Sequence, residues 1–282
     1  MQGGPSLRSS VSPASLITLG NLACGVAAMI WASEALRRDD VAVLEYAGWL
    51  IVLATIFDAL DGKVARLTQS ASNFGAQLDS LADAITFGVA PALMARTLVI
   101  IEQPVFDTRP HPRLLFVAPI LFAVCAVLRL ARYNVEHEQE DPQQAGGRGF
   151  VGLPSPAAAG LPTALVLFFF NIQDPDFLLP LAPEVVHGIQ EFILRTLPFI
   201  LVFVAVLMVS RVPYPHFFSW LTRSRNPFRA TAETVIVFGL LLIEPAFCLL
   251  GAALGFTLVP ALRALPGQWR ARHSVSSQDQ QP

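Results

Sequence analysis

Long apolar runs separated by short polar connectors constrain this chain more than any other feature. A helix needs roughly 20 residues to cross a bilayer core of about 30 Å. Apolar runs of that length recur from one end of the sequence to the other. Charged residues make up 14% of the chain and hydrophobic residues 54%, whereas a soluble domain carries about 25% charged residues. Short alternating strands between polar loops are missing, so a soluble α/β fold is excluded. The pattern predicts an all-α, polytopic membrane bundle with eight transmembrane helices, near 16–36, 46–66, 77–101, 114–134, 153–172, 193–212, 230–246 and 247–263. The last two arise from one apolar run broken at Glu244-Pro245. One kinked helix there would leave seven spans. The first run is too long for a signal-peptide core and is read as a retained helix.

Basic residues orient the bundle. If the N-terminus is cytoplasmic, 13 of the 19 Lys and Arg residues fall on the cytoplasmic side. The positive-inside rule then places both termini, and the 67–76 connector, in the cytoplasm. The expected location is the inner (cytoplasmic) membrane. A net charge of −2 without a dense basic tract gives no reason to expect nucleic acid as a partner. Cys24, Cys125 and Cys248 sit in apolar runs without a CxxC pair, which fits small packing residues rather than disulfides or a thiolate site. The five histidines, His111, His137, His187, His216 and His273, are scattered without ligand spacing. Gly146-Gly147 and Gly149 lie in a polar connector, outside any nucleotide fingerprint.

The second and third spans carry acids where acids are expensive. They read Asp58-x2-Asp61-Gly62-x2-Ala65-Arg66-x8-Gly75-x3-Asp79-x3-Asp83. Asp58 and Asp61 are three apart and share a helix face; Asp79 and Asp83 are four apart and share another. Across a short turn the pairs 58 with 83 and 61 with 79 have nearly the same midpoint. All four carboxylates therefore fall at one depth, near the cytoplasmic helix ends. Converging carboxylates repel at low dielectric, and divalent cations remove the conflict. An all-oxygen ligand set suits Mg²⁺ or Mn²⁺. Two ions bridged by a shared carboxylate recur in phosphoryl chemistry. Gly62, Ala65 and Gly75 remove bulk beside the acids, either for close helix packing or for close approach of a ligand. Arg66 lies one turn beyond Gly62, where it can neutralise a diphosphate.

The string from Asp58 to Asp83 resembles the complete signature of the CDP-alcohol phosphatidyltransferases. That resemblance implies transfer of a phosphatidyl group from a CDP-linked lipid to an alcohol, with release of CMP. It implies that Asp58, Asp61, Asp79 and Asp83 hold two metal ions, and that Asp83 is also the general base. Gly62, Arg66 and Gly75 would contact the CDP portion, beside Ala65, with Ser72 as a further candidate. Three more stretches, Leu16 to Leu22, Arg129 to Asn134 and Phe150 to Pro156, join Tyr214-Pro215-His216-Phe217 in resembling the membrane-embedded phosphatidylserine synthases. The likeness covers residues 14–218 and departs at Ala14-Ser15, where that subfamily usually has Pro-Asn. It implies CDP-diacylglycerol and L-serine as substrates, membrane lipids as surroundings and a homodimer as the assembly.

On this reading residues 13–220 form the catalytic transmembrane domain and 221–267 the C-terminal transmembrane helices. Residues 1–12 and 268–282 are polar cytoplasmic tails expected to be disordered. Serine's carboxylate needs a cation. Arg129 and Arg132, three apart at the cytoplasmic end of the fourth span, are the candidates, with Asn134 beside them; anchoring to lipid phosphate is their alternative role. Thr18 and Asn21 either line the nucleotide site or make helix–helix hydrogen bonds. Two other functions remain open: the same chemistry on glycerol phosphate or choline, and cation-coupled transport through the acid cluster. The acids lie away from the midplane and are not repeated, which speaks against transport.

Overall fold

The computed structural model describes residues 12–68, 73–108, 110–139, 150–179, 181–214, 239–240 and 242–278, with the backbone alone at 66, 73, 137–139, 150 and 265–278. The elements in chain order are α1 (Pro13–Arg38), α2 (Val43–Leu67), α3 (Asn73–Asp83), a π-helical segment (Ala84–Val89), α4 (Ala90–Glu102), α5 (Pro112–Gln139), β1 (Phe150–Val151), α6 (Ser155–Asn171), α7 (Pro183–Val209), β2 (Pro213–Tyr214) and α8 (Pro245–Gln278). Among the described residues, six helical stretches are long and apolar enough to cross a membrane: Pro13–Arg38, Val43–Ala65, Phe74–Glu102, Pro112–Glu136, Pro183–Val209 and Pro245–Ala264. The protein is therefore a multi-pass membrane protein built as a helical bundle. Most of the expected 230–246 span lies outside the described residues.

α6 is shorter, with 17 residues, about 25 Å at 1.5 Å per residue. Twelve of them are buried, from Ser155 to Phe169. The helix packs against α2, α4, α7 and α8 and so forms the centre of the bundle. An apolar all-round surface suits that position.

α1 begins on a cap that its sequence encodes. The Ser12 side chain accepts from the Ser15 backbone N–H at 3.2 Å, and Pro13 occupies the first turn. Asp39 ends the helix in the left-handed region at φ 54°. Cys24, Gly25, Ala28, Ala32 and Ala35 recur at helical spacing and are buried. This stripe of small residues brings α1 close to its neighbours. At Gly25 the approach is closest: a Cβ there would stand 2.3 Å from Thr86 Oγ1 and 2.7 Å from Thr86 Cα.

The π-helical segment begins directly after Asp83. Such insertions rotate the residues that follow and recur at functional sites. Here Thr86 faces α1 and donates from its hydroxyl to the Asn21 carbonyl at 3.2 Å.

Just ahead of α6, β1 pairs antiparallel with β2, Phe150 opposite Tyr214 and Val151 opposite Pro213. Tyr214 is 1% exposed and its hydroxyl donates to the Thr257 carbonyl of α8 at 3.2 Å. Burial pushes its phenol up to about 12. At the opposite end, Glu244 is buried, accepting from the Leu178 N–H (2.7 Å) and from Asn171 Nδ2 (2.9 Å). The acid at the Glu244-Pro245 break thus ties α6 and the 172–179 connector to the start of α8.

Candidate active site

Asp58 and Asp61 project from α2, Asp79 and Asp83 from α3. One carboxylate oxygen from each of Asp58, Asp61 and Asp79 lies within 4.8 Å of the other two. Asp61 and Asp83 are each 6% exposed, and Asp58 and Asp79 are half-buried. The expected convergence at one depth is realised for the first three. Asp83 stands one turn along α3 from Asp79.

The group of three can hold a cation, and the cluster argues for one. Among the described residues, nothing donates a hydrogen bond to the buried Asp79 Oδ1. Buried acceptors are rarely left so, because an unpaired polar atom costs on the order of 1–3 kcal/mol. Three carboxylates this close also repel one another strongly outside bulk water. A hard divalent ion with oxygen ligands answers both problems. The donor set contains neither sulfur nor nitrogen, consistent with Mg²⁺ or Mn²⁺.

α1 supplies hydrogen-bond donors to two of the acids. Thr18 Oγ1 lies 2.8 Å from Asp61 Oδ2, to which it donates, and 3.1 Å from the Ala14 carbonyl. Asn21 Nδ2 donates to Asp83 Oδ1 at 3.1 Å. Both residues are buried. Thr18 and Asn21 therefore act as interhelical hydrogen-bond donors to the acids. Thr18 also lines a cavity of about 170 Å³ with Ser12, Ala14, Ser15, Asp61, Gly62, Ala65, Gly75, Ala76 and Asp79. Thr18 and Asn21 thus both make the helix–helix hydrogen bonds considered for them, and Thr18 also borders a cavity.

Gly62 bears on the two roles considered for the small residues. A Cβ there would meet none of the described residues within 4 Å. Its missing side chain leaves room beside the acids, and no described helix packs against it there. Ala65 and Gly75 line the same cavity. Ser72 and the side chain of Arg66 lie outside the described residues.

The three residues considered for the serine site diverge. Arg129 is 8% exposed, and its charge interacts with those of Asp83 and Asp58. Its Nη1 donates to Ser155 Oγ at 3.2 Å, and its guanidinium carbon stands 5.3 Å from the centre of the Tyr133 ring. Arg132 turns to backbone, donating to the carbonyls of Val151 and Val209. Asn134 Nδ2 donates to Ser80 Oγ at 2.9 Å, tying α5 to α3. Arg129 is thus the basic side chain of this pair that faces the acids.

Sequence reasoning did not single out Ser155, although it lies in the quoted Phe150–Pro156 stretch. Buried and at the start of α6, it meets Arg129 only in the folded chain. Ser80 and Thr86 likewise meet their partners, Asn134 and Asn21, only in the folded chain.

The sequence profile of the CDP-alcohol phosphatidyltransferase family matches residues 12–190. The chain belongs to this family. The CDP-diacylglycerol–serine O-phosphatidyltransferase of Helicobacter pylori is 36% identical over 171 residues, 61% of each chain. The enzyme of the same name from Methanocaldococcus jannaschii is 29% identical over 212 residues, 75% of this chain and 78% of its own. An archaetidylserine synthase from Methanothermobacter thermautotrophicus is 34% identical over 168 residues, 59% of this chain and 56% of its own. The chain spans about three fifths of the length of the Helicobacter relative.

Proposed function

We propose that this protein transfers a phosphatidyl group from CDP-diacylglycerol to L-serine, giving phosphatidylserine and CMP. The observation that carries the reading is the group of three carboxylates, Asp58, Asp61 and Asp79, beside the Asn21-bound Asp83. The serine acceptor rests on the names of the relatives and on Arg129, which offers a cation for a carboxylate beside the acids.

Asp58, Asp61, Asp79 and Asp83 would hold two ions, Mg²⁺ or Mn²⁺. Such ions, when bound, supply charge neutralisation for a diphosphate and for the departing CMP. Thr18, Gly62, Ala65 and Gly75 would border the nucleotide in the cavity beside Asp61 and Asp79. Arg66 and Ser72, from their sequence positions, would meet the diphosphate side. Asp83 would accept the proton of the serine hydroxyl. The serine oxygen then bonds to the phosphorus that carries diacylglycerol, and the bond from that phosphorus to CMP breaks. Asn21 holds one Asp83 oxygen, leaving the other for the proton. Arg129 would orient the acceptor through its carboxylate, so that position contributes more to the rate than the weak base does.

Charge asymmetry supports cytoplasmic termini, a cytoplasmic site and an inner-membrane location. A cysteine placed at Asp176 in a cysteine-free background should react with an impermeant maleimide added outside intact cells. Protection there would reverse the orientation. We further propose a homodimer, to be tested by cross-linking in native membranes.

The activity test compares CMP formation by purified protein given CDP-diacylglycerol, Mg²⁺ or Mn²⁺, and serine, glycerol phosphate or choline in turn. Serine-dependent CMP release that stops in chelator is expected. Release with another alcohol alone would overturn the acceptor; none with any alcohol would overturn the chemistry.

A further inference from the structure

We propose that Arg132 is a positioning residue for the acceptor site, fixing Arg129 through a pinned strap at residues 150–154. The inference rests on the proposed reaction, in which Arg129 meets an anionic acceptor. It assigns Arg132 a role without substrate contact.

The strap is held from several sides. Arg132 Nη2 donates to the Val151 carbonyl, and Nη1 donates to the Val209 carbonyl at 3.3 Å. Val209 ends α7, so one guanidinium joins α5, the strap and α7. The Gly152 N–H donates to the Val212 carbonyl at 2.9 Å, and the Leu153 N–H to the Leu207 carbonyl at 3.2 Å. Gly152 has φ +84°, a conformation that L side chains rarely adopt. A Cβ there would stand 2.4 Å from the Met208 carbonyl oxygen and 2.7 Å from Arg132 Nη2. The glycine is what lets the guanidinium reach the strap.

Three residues beyond Gly152 the strap becomes α6 at Ser155, which is fully buried. Ser155 Oγ accepts from Arg129 Nη1. Arg132 thus fixes the peptide at Val151, the peptide places Ser155, and Ser155 places Arg129 opposite Asp83. Arginine suits this task because its planar fork reaches two carbonyls at once, which a lysine ammonium does so less rigidly. Among the described residues, Arg132 also meets Glu136 on its own helix, with Oε1 3.8 Å from Nε.

The test measures steady-state kinetics and thermal stability of the full-length protein in detergent with Arg132→Gln, Arg132→Lys, Gly152→Ala and the double variant R132Q/G152A. Wild-type protein is first assayed with serine, glycerol phosphate and choline, and the acceptor KM is taken for the anionic alcohol turned over. That step alone decides the proposed acceptor. Turnover of glycerol phosphate would replace serine and leave the strap testable; turnover of choline alone would overturn both readings.

Arg132→Gln and Gly152→Ala should each raise the acceptor KM about tenfold, the scale of one lost hydrogen bond to a charged group. The KM for CDP-diacylglycerol should stay within about twofold, on the same scale of one intact contact. The double variant should be no worse than the poorer single variant, because both break one device. Arg132→Lys should recover part of the loss. An acceptor KM raised by Arg132→Gln but not by Gly152→Ala would make Arg132 a direct ligand and overturn the proposal. Lower melting temperatures with unchanged acceptor KM would overturn it too, leaving a structural clamp. If Gly152→Ala does not fold, Ser155→Ala replaces it, and an unchanged acceptor KM there has the same consequence.

Discussion

Asn21 and Asp83, 62 residues apart in sequence, are joined by a 3.1 Å hydrogen bond between two buried side chains. The asparagine is itself fixed, because its carbonyl accepts the hydroxyl of Thr86 from the π-helical segment that follows Asp83. One turn of α1 therefore holds both the acid and the irregular backbone behind it. Replacing Asn21 with Ala should lower kcat about tenfold, the scale expected for a hydrogen bond to a charged group, with little change in acceptor KM. An equal rise in acceptor KM would instead place Asn21 at the substrate.

Asp83→Asn keeps the shape of the side chain and removes its basicity. If Asp83 takes the acceptor's proton, kcat should fall by about 10²–10⁴. Near-normal turnover with saturating Mn²⁺ would remove it from that role.

Metal binding can be read apart from turnover. Asp61→Asn and Asp79→Asn should each weaken Mn²⁺ binding, followed by titration calorimetry of the purified protein without lipid substrate. Losing one carboxylate from a hard-cation site reduces both ligand number and charge. Unchanged Mn²⁺ affinity in both variants would count against the three-carboxylate site.

Two glycines on neighbouring helices should respond oppositely. A Cβ at Gly62 meets open space, whereas one at Gly25 runs into Thr86. Gly62→Val should leave the melting temperature near that of the wild type and raise the KM for CDP-diacylglycerol. Gly25→Ala should destabilise the fold by about 1–3 kcal/mol, as overpacked cores do. The reverse pattern would mean that α1 and α2 pack differently around the site.

Glu244 tests the far end of the bundle. Glu244→Ala leaves the Leu178 N–H and the Asn171 amide without their acceptor, and should cost about 1–3 kcal/mol. Activity per folded molecule should be unchanged, since the acid cluster lies at the other end of the helices. A selective loss of kcat would reveal coupling between the two ends.

The sequence by itself determined the helical class, most of the spans and the acid cluster. Apolar length and carboxylate spacing are local properties: Asp58 and Asp61 share a face because a helix has 3.6 residues per turn. It did not determine which partner each polar residue finds. Arg129 and Arg132 are equivalent on paper, yet one faces Asp83 and the other holds two carbonyls. Thr18 and Asn21 read as nucleotide contacts or as helix glue, and both reach carboxylates. Gly62 and Gly25 are both small residues on apolar helices, but one leaves space and the other closes it. These distinctions depend on the rotation of each helix about its axis and on the π-helical insertion after Asp83. Both are set by packing between segments distant in sequence, so only the tertiary structure decided them.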